Sequence, residues 1–319
     1  MKHIYPKCAN TFRQWYQNNK QYEYMYNFLG KPRPFDVSLR DGLQSLTKDE
    51  QSEFSNLKKI LLYYEIKDNH NPLNIEIGSL VSKKVLPIFE DSTLIFNYLE
   101  KKQSRQFKTK TNHFMLIPNE KQFDSIGKFN KLTHYSFITS VSESFQQKNT
   151  KMSLDTTYQQ LSNMCQRLDD SIHKSYIKIY VSCINECPIE GKISNDKIIK
   201  HLIDYNKLKP DNLCLSDTCG TLNVEDFEYI LKNMGLKSSY LLKEKTNLSL
   251  HLHVKPGRED EVEKIIHKAL DYGIIDFDVS ILESGGCSVT MDKSKLAPNL
   301  SYDLYYKSIC DYIISESEK

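Results

Sequence analysis

Ten side chains able to bind a metal ion or to transfer a proton follow or end short β-prone segments of the chain. Each segment is followed by a stretch whose apolar residues recur at helical spacing. The carboxyl ends of parallel strands meet on one face of an α/β barrel, so these side chains would share one site. They are Arg40, Asp41, Glu76, Ser142, Glu143, Cys183, Asp217, His251, His253 and Cys287. The pattern predicts a catalytic site assembled from several separate strands.

His251 and His253 are separated by one residue at the end of a predicted strand, so their side chains point to the same side. Two imidazoles and a carboxylate such as Asp41 form part of a divalent metal site. Nitrogen ligands alone favour zinc, whereas mixed oxygen and nitrogen ligands with open positions favour Mg²⁺ or Mn²⁺. The alternative is a pair of surface histidines without a metal, and Asp41 at the end of the first strand favours the metal site.

Glu76 lies between Ile75 and Ile77, an alternation that places its carboxylate on the inner face of a barrel strand. A buried carboxylate needs a partner, and Arg40 is the predicted one. The sequence leaves open whether this pair serves catalysis or is a structural ion pair. Asp217 also has two interpretations, a catalytic group or a cap of the turn that follows its strand.

Cys287 follows Gly285 and Gly286, which predicts a flexible hinge that carries the thiol over the barrel mouth. A thiol in that position can visit the site and accept or donate a proton, and we expect it to react as its thiolate. Cys183 and Cys187 are interpreted as core thiols.

Eight units of a short strand and a helix run through the chain and must position these residues. The predicted strands are 35–39, 73–77, 113–117, 134–139, 176–182, 212–215, 248–253 and 275–282. Eight units close a (β/α)8 TIM barrel, assigned to residues 34–319 with a helical C-terminal end, after an N-terminal extension at 1–33. An open doubly wound sheet is the alternative, but no glycine-rich phosphate turn follows the first strand. Ser194 and Asn223 are predicted helix caps.

Composition excludes several classes of function. The 319 residues carry 43 basic and 41 acidic side chains, so a net charge of +2 gives no electrostatic case for nucleic acid. We expect no membrane association, because no apolar run approaches the roughly 20 residues that span a bilayer. The amino terminus has no apolar segment of a secretory signal. The eight scattered cysteines are therefore interpreted as reduced thiols of a cytoplasmic protein, with a mitochondrial location as the alternative.

Short motifs spread over the whole predicted barrel carry a family resemblance. These are Arg40-Asp41-Gly42-Leu43-Gln44, Gly78-Ser79-Leu80-Val81-Ser82, Ile117-Pro118-Asn119, Ser142-Glu143-Ser144-Phe145, Lys148-Asn149, Tyr180-Val181-Ser182-Cys183, Cys187-Pro188, Glu190-Gly191-Lys192-Ile193-Ser194, Asp217-Thr218-Cys219-Gly220, His251-Leu252-His253, Gly285-Gly286-Cys287 and Asn299-Leu300. From Phe35 to Tyr306 the chain thereby resembles the 3-hydroxy-3-methylglutaryl-CoA lyases of the metallolyase barrel superfamily, which include a pyruvate carboxyltransferase-like domain.

The resemblance implies cleavage of 3-hydroxy-3-methylglutaryl-CoA to acetyl-CoA and acetoacetate by retro-Claisen chemistry, with an acyl-CoA substrate and a homodimeric assembly. It implies a Mg²⁺ or Mn²⁺ ion held by Asp41, His251, His253 and Asn299, with His251 also in a catalytic role. Arg40 would stabilise the enolate oxygen, and Glu76 would orient Arg40 and the metal site. Asp217 would sit near the base that takes the hydroxyl proton, and Cys287 would protonate the enolate carbon.

The chain departs from the family pattern at three places. Val254-Lys255-Pro256 follows His253, Ser288-Val289-Thr290 follows Cys287, and Ser45-Leu46-Thr47-Lys48 replaces a segment that helps hold coenzyme A in the family. Two alternatives to the lyase remain. One is a Claisen-type enzyme of the same superfamily that joins an acyl-CoA to a 2-keto acid, and the other is a catalytically retired barrel that acts as a binding or scaffold protein.

Overall fold

A closed barrel of parallel strands forms the centre of the protein. The computed structural model describes residues 5–106, 110–126, 131–172, 174–234 and 246–319. Within these residues, eight strands pair side by side in chain order, and the last strand pairs with the first to close the barrel. The strands are β1 (Arg33–Asp36), β2 (Asn74–Ser79), β3 (Asn112–Ile117), β4 (His134–Ser140), β5 (Tyr176–Ser182), β6 (Asn212–Asp217), β7 (Asn247–Leu252) and β8 (Asp276–Val279). The predicted (β/α)8 TIM barrel is confirmed.

The first strand ends three residues earlier than predicted. The Asp36 carboxylate accepts hydrogen bonds from the amide of Ser38 at 2.9 Å and from its hydroxyl at 3.1 Å. An aspartate bonded to the backbone two residues ahead turns the chain, and a π-helical turn over Ser38–Gly42 follows. Arg40 and Asp41 therefore lie on this turn rather than at the strand end.

Helices alternate with the strands around the outside of the barrel. They are α1 (Ala9–Gln17), α2 (Lys20–Phe28), α3 (Lys48–Ser52), α4 (Asn56–Asn69), α5 (Ser92–Gln106), α6 (Glu120–Ser125), α7 (Glu143–Thr150), α8 (Leu154–Asp169), α9 (Asn195–Asn206), α10 (Val224–Asn233), α11 (Glu259–Asp271) and α12 (Tyr302–Ser317). The Ser194 and Asn223 side chains accept from the amides of Lys197 and Asp226, which confirms both predicted caps. None of the described helices is long and apolar enough to cross a membrane.

The main hydrophobic core lies between the barrel and its helices, whereas the interior of the barrel is largely polar. Outward-facing side chains such as Ile75, Ile179 and Leu250 are buried in that core. Lys178 and Asp278 are fully buried inside the barrel. Buried polar groups need hydrogen-bonding partners, and Lys178 pairs with Asp278, which in turn accepts from His251 of the site described below.

Helices α1 and α2 precede the barrel and pack against its last helix. The rings of Phe12 and Tyr306 stack with centroids 5.3 Å apart, and Phe12 also meets Tyr26 edge-on at 5.4 Å. The Tyr5 hydroxyl donates a 2.8 Å hydrogen bond to Asp311. These contacts attach the first helices to α12, while the division of the chain into an extension and a barrel domain stays a prediction.

Candidate active site

Asp41, His251 and His253 converge at the carboxyl end of the barrel. Their ligand atoms all lie within 4.8 Å of one another, and all three residues are buried. Oδ2 of Asp41 is 3.9 Å from Nε2 of His251 and 3.5 Å from Nε2 of His253. The π-helical turn after β1 supplies Asp41, and the alternation at the end of β7 turns both imidazoles to the same side. These three side chains could hold a metal ion.

Hydrogen bonds on the far side of each imidazole orient both rings toward Asp41. Nδ1 of His251 donates to Oδ2 of Asp278 at 3.1 Å, and Nδ1 of His253 donates to the backbone carbonyl of Asp217 at 2.9 Å. Both partners only accept hydrogen bonds, so the proton lies on Nδ1 and the lone pair on Nε2. A histidine that donates through one nitrogen and presents the other is the usual arrangement of a metal ligand.

Charge around the cluster suits a cation. Burial alone would raise the pKa of Asp41, but the Arg40 guanidinium and the two imidazoles hold it well below its usual range. Burial lowers the pKa of His251 and favours its neutral form. Burial alone would also lower the pKa of His253, but the facing Asp41 carboxylate outweighs this effect and raises it. The carboxylate that raises the pKa of His253 would also attract a cation bound between the two residues.

Asn299 is brought beside His253 by an isolated antiparallel bridge between the two residues. Its Nδ2 donates to the carbonyl of Ser284 at 3.0 Å. Among the described residues, Oδ1 of Asn299 and Nε2 of His253 are buried without a hydrogen-bond partner. A buried polar atom without a partner is costly. These two atoms belong to residues joined by the bridge, and Nε2 of His253 lies 3.5 Å from Asp41, so both fit a bound divalent ion. Two nitrogen and two oxygen donors with open positions match Mg²⁺ or Mn²⁺ better than a closed zinc site.

Arg40 is fixed between two carboxylates. Its Nε donates to Oε2 of Glu76 and its Nη1 donates to Oδ1 of Asp41, which confirms Glu76 as its partner. The Tyr180 hydroxyl also donates to Oε2 of Glu76 at 3.3 Å, and the Tyr180 ring lies 5.1 Å from Cζ of Arg40. The guanidinium is thereby held rigidly in the wall of the cavity beside the predicted metal ligands.

A loop from Glu283 to Pro298 covers the cluster and carries Cys287. Gly286 adopts a φ of +94°, and a Cβ atom there would lie 2.9 Å from a side-chain carbon of Leu296. A Cβ atom on Gly285 would lie 2.6 Å from the backbone nitrogen of Asn299. Only glycine fits such positions, so the pair allows close packing against the predicted ligands, and the hinge motion stays a prediction.

The Cys287 thiol is half-buried in this loop, and its Sγ lies 3.5 Å from Oδ1 of Asn149. Burial raises its pKa, which favours the thiol over the thiolate that the sequence analysis expected. A thiol that retains its proton remains suited to donating one.

Asp217 lies at the end of β6, next to the cluster, but its carboxylate faces the following turn. Its two oxygens accept hydrogen bonds from the amides of Thr221 and Leu222 at 3.1 and 2.9 Å. Burial raises its pKa, although these amides partly offset the effect. Its carboxylate thus has the structural contacts of a turn cap, and its catalytic role stays a prediction.

The sequence analysis did not predict the contacts that three further residues make near this site. Asp278 and Lys178 form an ion pair inside the barrel, and Asp278 also binds His251. The signal for Asp278 was the alternation Asp276-Phe277-Asp278 in a buried strand. Cys187 is buried in the main hydrophobic core, as predicted for a core thiol. The sequence did not indicate its hydrogen bonds, of which one from Cys183 and one from the Ser142 hydroxyl at 3.0 Å lower its pKa to about 5 despite burial.

One cavity opens over the cluster, and a second cavity adjoins it. The inner one has a volume of about 230 Å³ and is lined by Arg40, Asp41, both histidines and Cys287. The outer one has a volume of about 1040 Å³ and includes Lys48 and Lys293 in its wall. Val85, Leu86 and Val289 line both cavities. The site can therefore accept a small reacting group inside and a longer polar group outside.

No protein-family model matches the chain. Curated relatives do match at low identity. The mitochondrial hydroxymethylglutaryl-CoA lyase of Mus musculus is 27% identical over 252 residues, which are 79% of this chain and 71% of the mouse protein. The hydroxymethylglutaryl-CoA lyase of Pseudomonas mevalonii is 23% identical over 257 residues, which are 79% of this chain and 77% of the bacterial protein.

Solved structures share the fold. An HMG-CoA lyase from Acinetobacter baumannii, in complex with coenzyme A and 3-methylmalate, aligns with a TM-score of 0.70 at 24% identity. The alignment covers 90% of this chain and 88% of that one. The carboxyl transferase domain of Rhizobium etli pyruvate carboxylase aligns with a TM-score of 0.53 at 10% identity over 99% of this chain and 52% of that one. Over 79% of its length the chain is thus a diverged, hydroxymethylglutaryl-CoA lyase-like protein with a TIM-barrel fold.

Proposed function

We propose that the protein is a divalent-metal-dependent carbon–carbon lyase that cleaves 3-hydroxy-3-methylglutaryl-CoA to acetyl-CoA and acetoacetate. The observation that carries this proposal is the convergence of Asp41, His251 and His253 within 4.8 Å at the mouth of the barrel. Similarity to the hydroxymethylglutaryl-CoA lyases supports the choice of reaction.

A divalent cation is held by Asp41, His251, His253 and Asn299 in this proposal. Bound there, Mg²⁺ or Mn²⁺ supplies Lewis acidity that lowers the pKa of a hydroxyl group on the substrate. The support from the structure is the pair of buried atoms without partners, Nε2 of His253 and Oδ1 of Asn299. In both imidazoles Nδ1 donates a hydrogen bond to a protein oxygen, so Nε2 is the atom that each ring can offer to a metal ion.

Arg40 stabilises the negative charge that develops when the carbon–carbon bond breaks. Cleavage leaves an enolate on the departing acetyl-CoA, and its oxygen needs a fixed positive charge close by. The Arg40 guanidinium lines the inner cavity and is held by Glu76 and Asp41. Because these contacts exist before substrate arrives, little reorganisation is required during the reaction.

Two proton transfers complete the chemistry. In the first, the substrate hydroxyl would lose its proton to a base near Asp217, while His251 would contribute by binding the cation through Nε2. The Cys287 thiol delivers a proton to the enolate carbon, and its raised pKa keeps that proton available. A positioned acid or base typically contributes roughly 10²–10⁴-fold to the rate.

The outer cavity is the proposed binding region for the coenzyme A part of the substrate. Lys48 and Lys293 in its wall carry charges that suit phosphate groups. Ser45 and Ser288 line the same cavity and lie in segments that depart from the family pattern. The contacts with coenzyme A are therefore expected to differ from those of the relatives even where the reaction is the same.

The test is an assay of purified, chelator-treated protein with 3-hydroxy-3-methylglutaryl-CoA, with and without Mn²⁺ or Mg²⁺. We expect acetyl-CoA and acetoacetate in equal amounts only when the metal is present, and no product from the control variant His253→Ala. A parallel assay with acetyl-CoA and 2-keto acids measures release of free coenzyme A. Activity in that assay alone would favour the condensing enzyme, and no activity in either would favour a retired barrel that binds its ligand.

The homodimer and the cytoplasmic location stay predictions. Light scattering on the purified protein checks the first, since a dimer has twice the mass of the 37.3 kDa chain. Imaging of a tagged full-length protein in its own cell checks the second.

A further inference from the structure

Asp278 connects the candidate metal ligands to a buried lysine inside the barrel. Its Oδ2 accepts from Nδ1 of His251 at 3.1 Å, and its Oδ1 lies 2.5 Å from Nζ of Lys178. Both residues of the ion pair are 1% exposed. Lys178 lies on β5 and Asp278 on β8, with β6 and β7 between them in the barrel wall. The ion pair therefore crosses the interior of the barrel.

Two aromatic rings contact the ammonium group of Lys178 where it pairs with Asp278. Nζ of Lys178 lies 3.5 Å from the ring centroid of Phe35 and 4.6 Å from that of Tyr180. These cation–π contacts and the carboxylate partly replace the water that the ammonium loses on burial. The lysine is thus held in one place, and so is the oxygen of Asp278 that it binds.

Stability alone does not explain a charged pair at this position. Two well-packed apolar residues of similar size are often as stabilising as a buried ion pair, because desolvation cancels much of the attraction. The contact that distinguishes this pair from an apolar one is the hydrogen bond from His251 to Asp278. That bond fixes which nitrogen of His251 carries the proton and the direction in which the ring faces.

We propose that Asp278 and Lys178 are positioning residues for the metal site, with Asp278 orienting His251 and Lys178 holding Asp278. This inference rests on the proposed binding of a divalent ion by Asp41, His251 and His253. Lys178 occupies one carboxylate oxygen and leaves the other for His251. It also balances the charge of Asp278, so the interior of the barrel does not gain an uncompensated carboxylate next to the ligands.

A calorimetric titration of the metal-free protein with MnCl₂ tests the inference without any assay of activity. In the double variant D278A/K178M both charges are removed together, so no unpaired buried charge remains. Loss of an outer partner of a metal-bound histidine typically costs 10–100-fold in metal affinity, and we expect about that loss. In D278N/K178M the amide oxygen still accepts from His251, so affinity should be partly restored.

The matched control is the double variant D276A/R33M. Asp276 lies two residues before Asp278 on the same strand, and it pairs with Arg33 at 3.1 Å. We expect this variant to bind Mn²⁺ within about twofold of the wild type. If D278A/K178M binds Mn²⁺ as tightly as the wild type, the inference is wrong while the metal site stands. If the wild type binds no Mn²⁺, the proposed metal site fails, and this inference with it.

A second measurement is made on the wild-type protein. The nitrogen-15 spectrum of the histidines in the metal-free wild type at pH 8 reports which ring nitrogen of His251 is protonated, with H251Q used for assignment. We expect the proton on Nδ1. A proton on Nε2 would overturn the inference, because Asp278 would then not be orienting the ring for a metal.

Discussion

The backbone amide of Gly286 donates a 3.0 Å hydrogen bond to Oδ2 of Asp41, the oxygen that also faces Nε2 of His251 and His253. The loop that carries Cys287 is therefore attached to the predicted metal ligands themselves. Two further bonds hold the loop to the segment after Asp41. The Ser284 hydroxyl donates to the carbonyl of Gly42 at 2.9 Å, and the Ser288 hydroxyl donates to that of Gln44 at 2.8 Å.

Replacing Gly286 by alanine is expected to displace this loop. The new Cβ would meet Leu296 at 2.9 Å in a backbone conformation with φ of +94°, which side chains other than glycine rarely adopt. A shift of about 1 Å at a reacting group can cost roughly 10²-fold in rate, so we expect kcat for the lyase reaction to fall by about that factor.

The matched control for that loop variant is Gly257→Ala. Gly257 has a similar φ of +81°, but a Cβ atom there would meet nothing within 4 Å. Its substitution should lower stability without changing kcat. Equal kcat values for Gly286→Ala and the wild type, measured at saturating substrate, would show that the loop need not keep its position.

Cys287→Ser is expected to lower turnover by roughly 10²–10⁴-fold while Mn²⁺ affinity stays unchanged, because a hydroxyl gives up its proton less readily than a thiol. The measurement is a comparison of kcat with the calorimetric affinity for Mn²⁺. Cys183→Ser is the control, since Cys183 is fully buried and should cost stability before it costs turnover. Unchanged turnover in Cys287→Ser would move the proton donor to another residue.

The sequence could predict those parts of the site that depend on local alternation. His251 and His253 share a side because strand side chains alternate, and Glu76 faces inward for the same reason, where it meets Arg40. The closed barrel also followed from eight repeated units. Periodicity of this kind is a property of the chain itself, so it needs no knowledge of tertiary contacts.

The parts that were missed depend on contacts between distant segments. Lys178 and Asp278 are 100 residues apart, and no local pattern indicates that they meet across the barrel. The raised pKa of Cys287, which disfavours the expected thiolate, depends on how the loop packs around the sulfur. The end of β1 was misplaced because the Asp36 side chain, rather than a glycine or proline, turns the chain.

Asn299→Ala tests the fourth predicted ligand. If Oδ1 of Asn299 binds the ion, its loss should weaken Mn²⁺ binding measurably, by less than the loss of an imidazole in His253→Ala. Calorimetry of the three metal-free proteins checks this order. Affinity equal to that of the wild type in Asn299→Ala would remove this residue from the ligand set and leave the other three ligands in place.

Asp36 is expected to make stability depend on pH. Burial raises its pKa from 3.8 to about 7, against hydrogen bonds from Ser38 and Tyr302 that lower it. The folded protein thus holds a proton on Asp36 more tightly than the unfolded chain does. Between about pH 4 and pH 7 the titration of Asp36 therefore lowers the free energy of unfolding as pH rises, by about 1.4 kcal/mol per pH unit. Below pH 4 both states are protonated, and above pH 7 the loss is complete.

The variant Asp36→Asn removes this titration, so the difference in the free energy of unfolding between variant and wild type should shift in favour of the variant from pH 5 to pH 8. Urea unfolding in the presence of a chelator at several pH values measures the difference.

Tyr302→Phe is the companion variant, because it removes a 3.0 Å hydrogen bond to Oδ2 of Asp36. That bond favours the charged carboxylate, so its loss should raise the pKa of Asp36 further and extend the dependence above pH 7. A difference between Asp36→Asn and the wild type that stays constant with pH would mean that Asp36 is ionised in the folded protein throughout this range.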